Sequence, residues 1–286
     1  MNDQLCLYTL VRAPRERHEE ILHELVTPVA RQVRGSQELD SLFFARYNVP
    51  DWEVRFRVLG RPRWVDGPVR ELVERHLAPL AAAGTIAGFE FTTYEREIER
   101  YGGEEGMALA EKVFLHDTLA CLELIEAERQ GGLGKTRREF ALVAAEKLLD
   151  LFGFDLDDRL GFYAHGYRWA IEMGTWDEAD RELLDRRYQE IEPGLEDIFW
   201  GEQSRDPVLL WGGDEPARIA ERWIAGTDPV ISELRAGHAA GRIRQDLVYL
   251  AWSYTHMQCN RLGIDPGPEA ILRYFMHRLL EEHGGG

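Results

Sequence analysis

The sequence is short of cysteine, of positive charge and of long apolar runs, and each shortage removes a class of protein. Its three cysteines, Cys6, Cys121 and Cys259, are an odd number set far apart with no Cys-x-x-Cys pair. Neither a disulfide framework nor a cysteine zinc or redox site is written here, and all three read as reduced, buried, small hydrophobes. The nine histidines include no His-Glu-x-x-His, so no metal site and no cofactor are expected. A formal net charge of -17 would repel a polyanion, which argues against direct nucleic-acid binding. No apolar run approaches the roughly 20 residues that span a bilayer, and MNDQLCLYTL has no basic flank ahead of a cleavable segment. No membrane contact is expected, and the location reads as cytoplasmic. A nucleotide loop is missing too. Gly134-Lys135-Thr136 imitates its end, but Arg129 stands where the first glycine belongs.

What is present is an ordinary globular composition, 44% hydrophobic and 30% charged over 286 residues, enough for one or two intimately packed domains. Leu5 to Val11 reads as a strand, and Arg15 to Arg34 places Ile21, Leu22, Leu25, Val29 and Val33 at helical spacing. Leu42 to Tyr47 and Glu53 to Val58 read as strands broken by the turn Asn48-Val49-Pro50-Asp51. Val69, Leu72, Val73, Leu77, Leu80 and Ala81 mark a second helix, and Ala87 to Tyr94 a last strand with Phe89 and Phe91 on one face.

The order βαββαβ is that of a ferredoxin-like sheet with both helices on one face, whose other face must be covered. From about Gly102 onward the chain reads as helical, with Met107, Ala110, Phe114, Leu122 and Ile125 on one stripe and Phe140, Val143, Ala144, Leu148 and Leu151 on another. The expectation is an α+β protein, with a portion 1–101 carrying the sheet and a mainly helical portion 102–286 sharing its core. Gly212-Gly213-Asp214-Glu215-Pro216 reads as a turn that opens a helix with its acid at the cap.

Three segments carry candidate chemistry. In Glu53-Val54-Arg55-Phe56-Arg57-Val58, period two puts Glu53, Arg55 and Arg57 on one face. That face is either solvated or a clamp for an oxyanion or carboxylate, which paired guanidiniums suit. With Arg61 and Arg63 it forms a local basic cluster fit for an anionic group of modest size. Tyr94 to Gly103 alternates Glu95, Glu97 and Glu99 with Arg96 and Arg100, a pattern common to charged surface loops. Trp252 to Arg261 holds His256 and Asn260 four apart, hence on one helix face. A histidine among aromatics is commonly a bonded core residue, yet His256 is the best acid/base candidate by type.

Together these segments resemble the C-terminal, thiopeptide-type bacteriocin biosynthesis domain of the LanB-type lantibiotic dehydratases, in its stand-alone form. The resemblance rests on Phe43-Phe44-Ala45-Arg46-Tyr47, Arg55-Phe56-Arg57, Glu97 to Gly103, Glu111, Phe114 and Asp117-Thr118, and finally His256-Met257 with Asn260-Arg261. It implies an enzyme that eliminates glutamate from glutamylated Ser or Thr of a ribosomal precursor peptide, leaving a dehydroamino acid.

By that resemblance Arg57 and Arg100 stabilise the enolate-like oxygen and the departing glutamate, Arg55 and Glu97 orient them, and His256 moves protons. Arg46, Asn260 and Arg261 are substrate-binding candidates. The implied partners are the precursor peptide, leader and core, and a separate tRNA-dependent glutamylation protein. A homodimer is admitted. Two rival readings stand beside it: a pyridine synthase that joins two dehydroalanines by a formal [4+2] cycloaddition and releases the leader, and a non-catalytic scaffold that binds a leader peptide by strand addition.

Overall fold

In the strand Glu53–Gly60 the apolar Val54, Phe56 and Val58 alternate with Glu53, Arg55 and Arg57, and each of the three is 0% exposed. Burying such a side chain contributes about 1.5–3 kcal/mol, more than an exposed ion pair offers, so the apolar members decide which face turns inward. The structure, a computed structural model, describes residues 4–48 and 50–284; Val49 of the expected turn lies outside them. Among the described residues the strands β1 (Leu5–Arg12), β2 (Leu39–Tyr47), β3 (Glu53–Gly60) and β4 (Gly88–Thr92) form an antiparallel sheet in the order β2-β3-β1-β4.

Between β1 and β2, α1 (His18–Ile21) passes through a π-helical turn at Leu22–Val26 into α2 (Thr27–Val33). Between β3 and β4, α3 (Pro62–Trp64) passes through a second such turn, Val65–Val69, into α4 (Arg70–Ala82). Each wide turn adjoins or contains a proline, Pro28 or Pro68, whose missing amide hydrogen and ring disfavour the regular bond four residues back. Leu25, Val29, Val73 and Leu77 of these helices share one core with Val11, Phe44 and Phe56 of the sheet. Ala81, expected on the α4 stripe, is instead exposed in its last turn.

The chain divides into two compact units, 1–126 and 127–286. α5 (Glu104–Arg129) starts directly after Gly102-Gly103 and buries Met107, Ala110, Phe114, Leu122 and Ile125, as its spacing requires. The second unit is helical: α6 (Arg137–Phe152), α7 (Leu156–Glu172), α8 (Glu178–Phe199), α9 (Pro207–Trp211), α10 (Asp214–Ala239), α11 (Leu247–Leu262) and α12 (Pro266–His283). Thr136, Asp155 and Asp177 each start a helix with a reciprocal capping box, satisfying amides that the first turn leaves open.

At the far end of α6, Gly153 adopts φ 71°, a left-handed stop that side chains disfavour. On α6 Leu151 is half-buried, and Leu149 and Phe152 fill the core beside Leu148. The acid expected to cap α10 lies in its first turn, because Gly213 occupies the cap with no side chain to bond. The architecture is α+β, as its sequence patterns require. No helix among the described residues is long and apolar enough to cross a membrane.

Candidate functional site

The sheet face that carries Arg57 is covered, with Arg57 only 8% and Glu53 only 4% exposed. A solvated face is therefore excluded. Strand pairing sets Tyr8 of β1 and Phe43 of β2 on either side of Arg57. Its guanidinium carbon lies 4.0 Å from the centre of the Tyr8 ring, 5.3 Å from Phe43 and 5.1 Å from Tyr94. Each such contact contributes about 0.5–2 kcal/mol, depending on desolvation, so three rings hold the head in one orientation. Among the described residues no carboxylate pairs with it, and its Nε is buried without a hydrogen-bond partner. A cation steadied by rings and not neutralised is prepared for an anion from outside.

The other candidates of this unit are arranged differently. Arg55 donates from Nε to Glu53 Oε2 at 2.9 Å and stacks 3.6 Å above Tyr47. Burial works against its charge, but Glu53 and the nearby tyrosines hold its pKa above the ordinary arginine value. Arg100 donates to Glu97 at 3.1 Å and lies 5.5 Å from the Tyr101 ring. Tyr101 meets Phe114 at 5.4 Å and Phe114 meets Phe43 at 5.2 Å, so packed rings lead continuously from Arg57 to Arg100.

The charged loop that carries Glu97 and Arg100 is tied to α5 by Arg96, which donates from Nε and Nη2 to the two carboxylate oxygens of Glu111 at 2.9 and 3.0 Å. Burial is the larger influence on Glu111 and raises its pKa in spite of Arg96 and Tyr94. Arg46 stands apart: it pairs with Val54, takes the opposite face of the sheet and donates to Glu19 at 2.9 Å. The basic cluster also separates, since Arg61 and Arg63 leave the strand and are exposed at α3.

In the helical unit, α11 carries His256 and Asn260 one turn apart, both partly exposed. His256 stacks on Trp252 with ring centres 5.3 Å apart and planes at 9°. Its Nδ1 lies 2.7 Å from Oε2 of Glu269 on α12, and Arg273 donates to the other oxygen of Glu269 at 3.3 Å. Burial alone would raise the pKa of Glu269, but the bond from His256 and the charge of Arg273 outweigh it and hold the carboxyl below its ordinary range. Arg273 is itself 2% exposed. Gly166 on α7 makes room for it, since a Cβ there would come within 2.7 Å of Arg273 Cγ. His256 also lines a cavity of 340 Å³ with His165, Trp169, Met173, Trp252 and Pro266. Arg261 is 0% exposed, which leaves it no surface for a ligand.

Cys121 and Cys259 are buried and in no disulfide, whereas Cys6 is only half-buried, with its thiol pushed up to about 12 by burial. Among the described residues Glu192, Glu282 and His283 bring three ligand-type atoms within 4.8 Å of one another, but Arg278 and Tyr188 already bond Glu282. Sequence reasoning missed the ring cage of Arg57 and the Glu269–Arg273 pair behind His256. Tyr94 and Glu111 lie within or beside segments already singled out, whereas nothing in the chain ties Glu269 to His256 before the helices pack.

The model of the family described as "Lantibiotic biosynthesis dehydratase C-term" matches residues 7–280. The subtilin biosynthesis protein SpaB of Bacillus subtilis is 26% identical over 286 residues, covering 96% of this chain and 25% of its own length. Among solved structures, the tRNA-dependent lantibiotic dehydratase MibB from Microbispora sp. 107891 matches with a TM-score of 0.70 at 21% identity, over 97% of this chain and 28% of its own. TsrL matches with a TM-score of 0.69 at 20% identity, over 98% of this chain and 95% of its own. The pyridine synthase TbtD, from thiomuracin biosynthesis, matches with a TM-score of 0.66 at 15% identity, over 98% and 99%. At these identities the structural likeness speaks for the fold alone, and this chain spans only 25% of SpaB and 28% of MibB.

Proposed function

The chain belongs to the lantibiotic biosynthesis dehydratase C-terminal family, and from that premise we propose that it is a glutamate-elimination lyase. It converts glutamylated Ser or Thr of a ribosomally made precursor peptide to dehydroalanine or dehydrobutyrine, and a separate tRNA-dependent protein supplies the glutamylation. The observation that carries the reading is Arg57, a buried guanidinium braced by three rings and not paired with a carboxylate among the described residues. The sheet, with its strand order β2-β3-β1-β4, is read as ferredoxin-like.

The reaction needs such a group. Removal of the Cα proton places negative charge on the adjacent amide oxygen; that electron pair then forms the Cα–Cβ double bond as the Cβ–O bond breaks and glutamate departs as a carboxylate. Two anions develop, and fixed cations stabilise both without reorganising. Arg57 and Arg100 take these roles, Arg55 and Glu97 orient them, and His256 moves the proton.

The test is incubation with a precursor peptide already carrying glutamyl esters, read by mass spectrometry. Loss of glutamate, reduced about 10²–10³-fold in Arg57→Ala, supports the lyase. An unchanged glutamylated peptide overturns it. Leader release with a macrocycle from a dehydroalanine-containing peptide would establish the cycloaddition instead, and binding without turnover of either peptide the scaffold.

A further inference from the structure

The geometry points to Glu269 as the positioning residue of His256, with Arg273 holding Glu269 in its charged form. The inference deepens the proposed function and rests on His256 as the group that moves the proton. Glu269 is 4% exposed, and its Oε2 lies 2.7 Å from His256 Nδ1. An ionised carboxylate has no hydrogen to give, so the proton of this bond belongs to the imidazole: Nδ1 donates, and in the neutral ring the lone pair is on Nε2. Arg273, likewise buried, faces the other oxygen at 3.3 Å and is flanked by the Phe162 and Tyr163 rings at 4.7 and 5.9 Å. Trp252, stacked flat on the imidazole, fixes its plane. Tautomer and plane are thus set by different neighbours, and His256 enters the wall of its cavity with Nε2 as the atom left to exchange a proton. His165 is the other titratable ring in that wall, and it meets Trp252 edge-on at 5.0 Å.

The test uses the full chain with ¹⁵N-labelled histidine. Wild-type His256 is expected to show the Nδ1–H tautomer with a strongly shifted Nδ1 proton, and Glu269→Gln a mixture of tautomers. With the glutamylated peptide, Glu269→Gln should lower kcat about 10²-fold or more with KM unchanged.

Because Glu269→Gln strands a buried Arg273, the double variant Glu269→Gln/Arg273→Met removes both charges and restores a balanced interior. If Glu269 served only as the counterion of Arg273, the double variant would recover full kcat, and that result overturns the inference, as would an Nε2–H tautomer in the wild type. A folded double variant that keeps both the kcat defect and the mixed tautomers supports it. His256→Ala separates this from the underlying reading: full elimination in that variant would remove the proton-transfer role itself.

Discussion

Arg57 and His256 are both held rigidly, but by opposite means. In the unit that carries the sheet, Arg57 lies against the rings of Tyr8, Phe43 and Tyr94 with no carboxylate partner among the described residues. In the helical unit, His256 is bonded to a buried carboxylate that is itself paired with a buried guanidinium. The difference fits the roles proposed for the two groups. A permanent cation meant for an incoming anion must be fixed without being neutralised, and the negative face of an aromatic ring does this. A titratable ring has two nitrogens to choose between, and only a fixed acceptor makes the choice. Arg55, two residues from Arg57 and bonded to Glu53, marks the boundary between the two ways of holding a charge within one strand.

The largest effect expected from breaking the comparison is at Arg57. Arg57→Ala removes the charge and leaves the ring cage hollow, with the loss of about 10²–10³ in elimination given above. Arg57→Lys restores the charge without the planar fork that stacks between Tyr8 and Tyr94. It should recover only part of the rate, about tenfold below wild type or worse, because an ammonium is not held in the orientation a guanidinium is. Equal rates for Lys and Arg would mean that ring bracing has no function. Peptide turnover by mass spectrometry reads both variants.

Next is the anchor of the charged loop. Glu111 is 4% exposed and takes two bonds from Arg96, so Glu111→Gln leaves the half-buried Arg96 with only the exposed Glu104 as counterion. About 1–3 kcal/mol of stability should be lost, a fall of roughly 2–12 °C in Tm for a chain of this size. Elimination should fall further than the fraction unfolded explains, since Glu97 and Arg100 ride on the released loop. Thermal melts paired with turnover at a temperature where the variant is folded separate the two effects.

Much of this arrangement was legible in the sequence, and the rest fails for identifiable reasons. The alternation in β3 fixed the inward face because charged and apolar residues strictly take turns there. β2 carries no such signal: Phe43 and Phe44 are adjacent and both buried, so the chain alone does not reveal that Arg46 turns away from Arg57. The cage was hidden because Tyr8 and Phe43 reach Arg57 through strand register, which is set by pairing rather than by local pattern. Glu269 was hidden because it meets His256 across two helices. The capping boxes that open α6, α7 and α8 were readable throughout as Thr136 with Glu139, Asp155 with Asp158 and Asp177 with Asp180.

Another histidine supplies the contrast of burial without a bonded carboxylate. His18 is 0% exposed, faces the Ala13 carbonyl at 3.3 Å and lies 5.8 Å from the Trp52 ring. Burial, aided by the charge of Arg46, lowers its pKa from 6.5 to about 4. A depressed folded pKa means that the unfolded chain binds the extra proton first. Its stabilising contribution is therefore complete above pH 6.5 and is lost as the pH falls toward 4. Between pH 7 and pH 5 the loss should be about 2 kcal/mol. Urea unfolding at the two pH values should show that difference in the wild type and a smaller one in His18→Gln. An identical pH dependence in the variant would assign the acid sensitivity to other groups.

The smallest effect is expected at the exposed end of the same sheet face. Arg12 donates to Glu90 across β1 and β4 at 2.7 Å, a shorter contact than any that Arg55 makes. Yet the two side chains are 40% and 48% exposed, and water screens what the geometry offers. Ordering two long side chains offsets most of the remaining attraction, so a double-mutant cycle with Arg12→Ala and Glu90→Ala should give a coupling below about 1 kcal/mol, decreasing with added salt. Elimination should be unchanged in both single variants. A coupling comparable to that of Arg96 with Glu111 would mean that burial is not what separates the strong charge contacts of this unit from the weak ones, and the contrast between Arg57 and its neighbours would then have to rest on the rings alone.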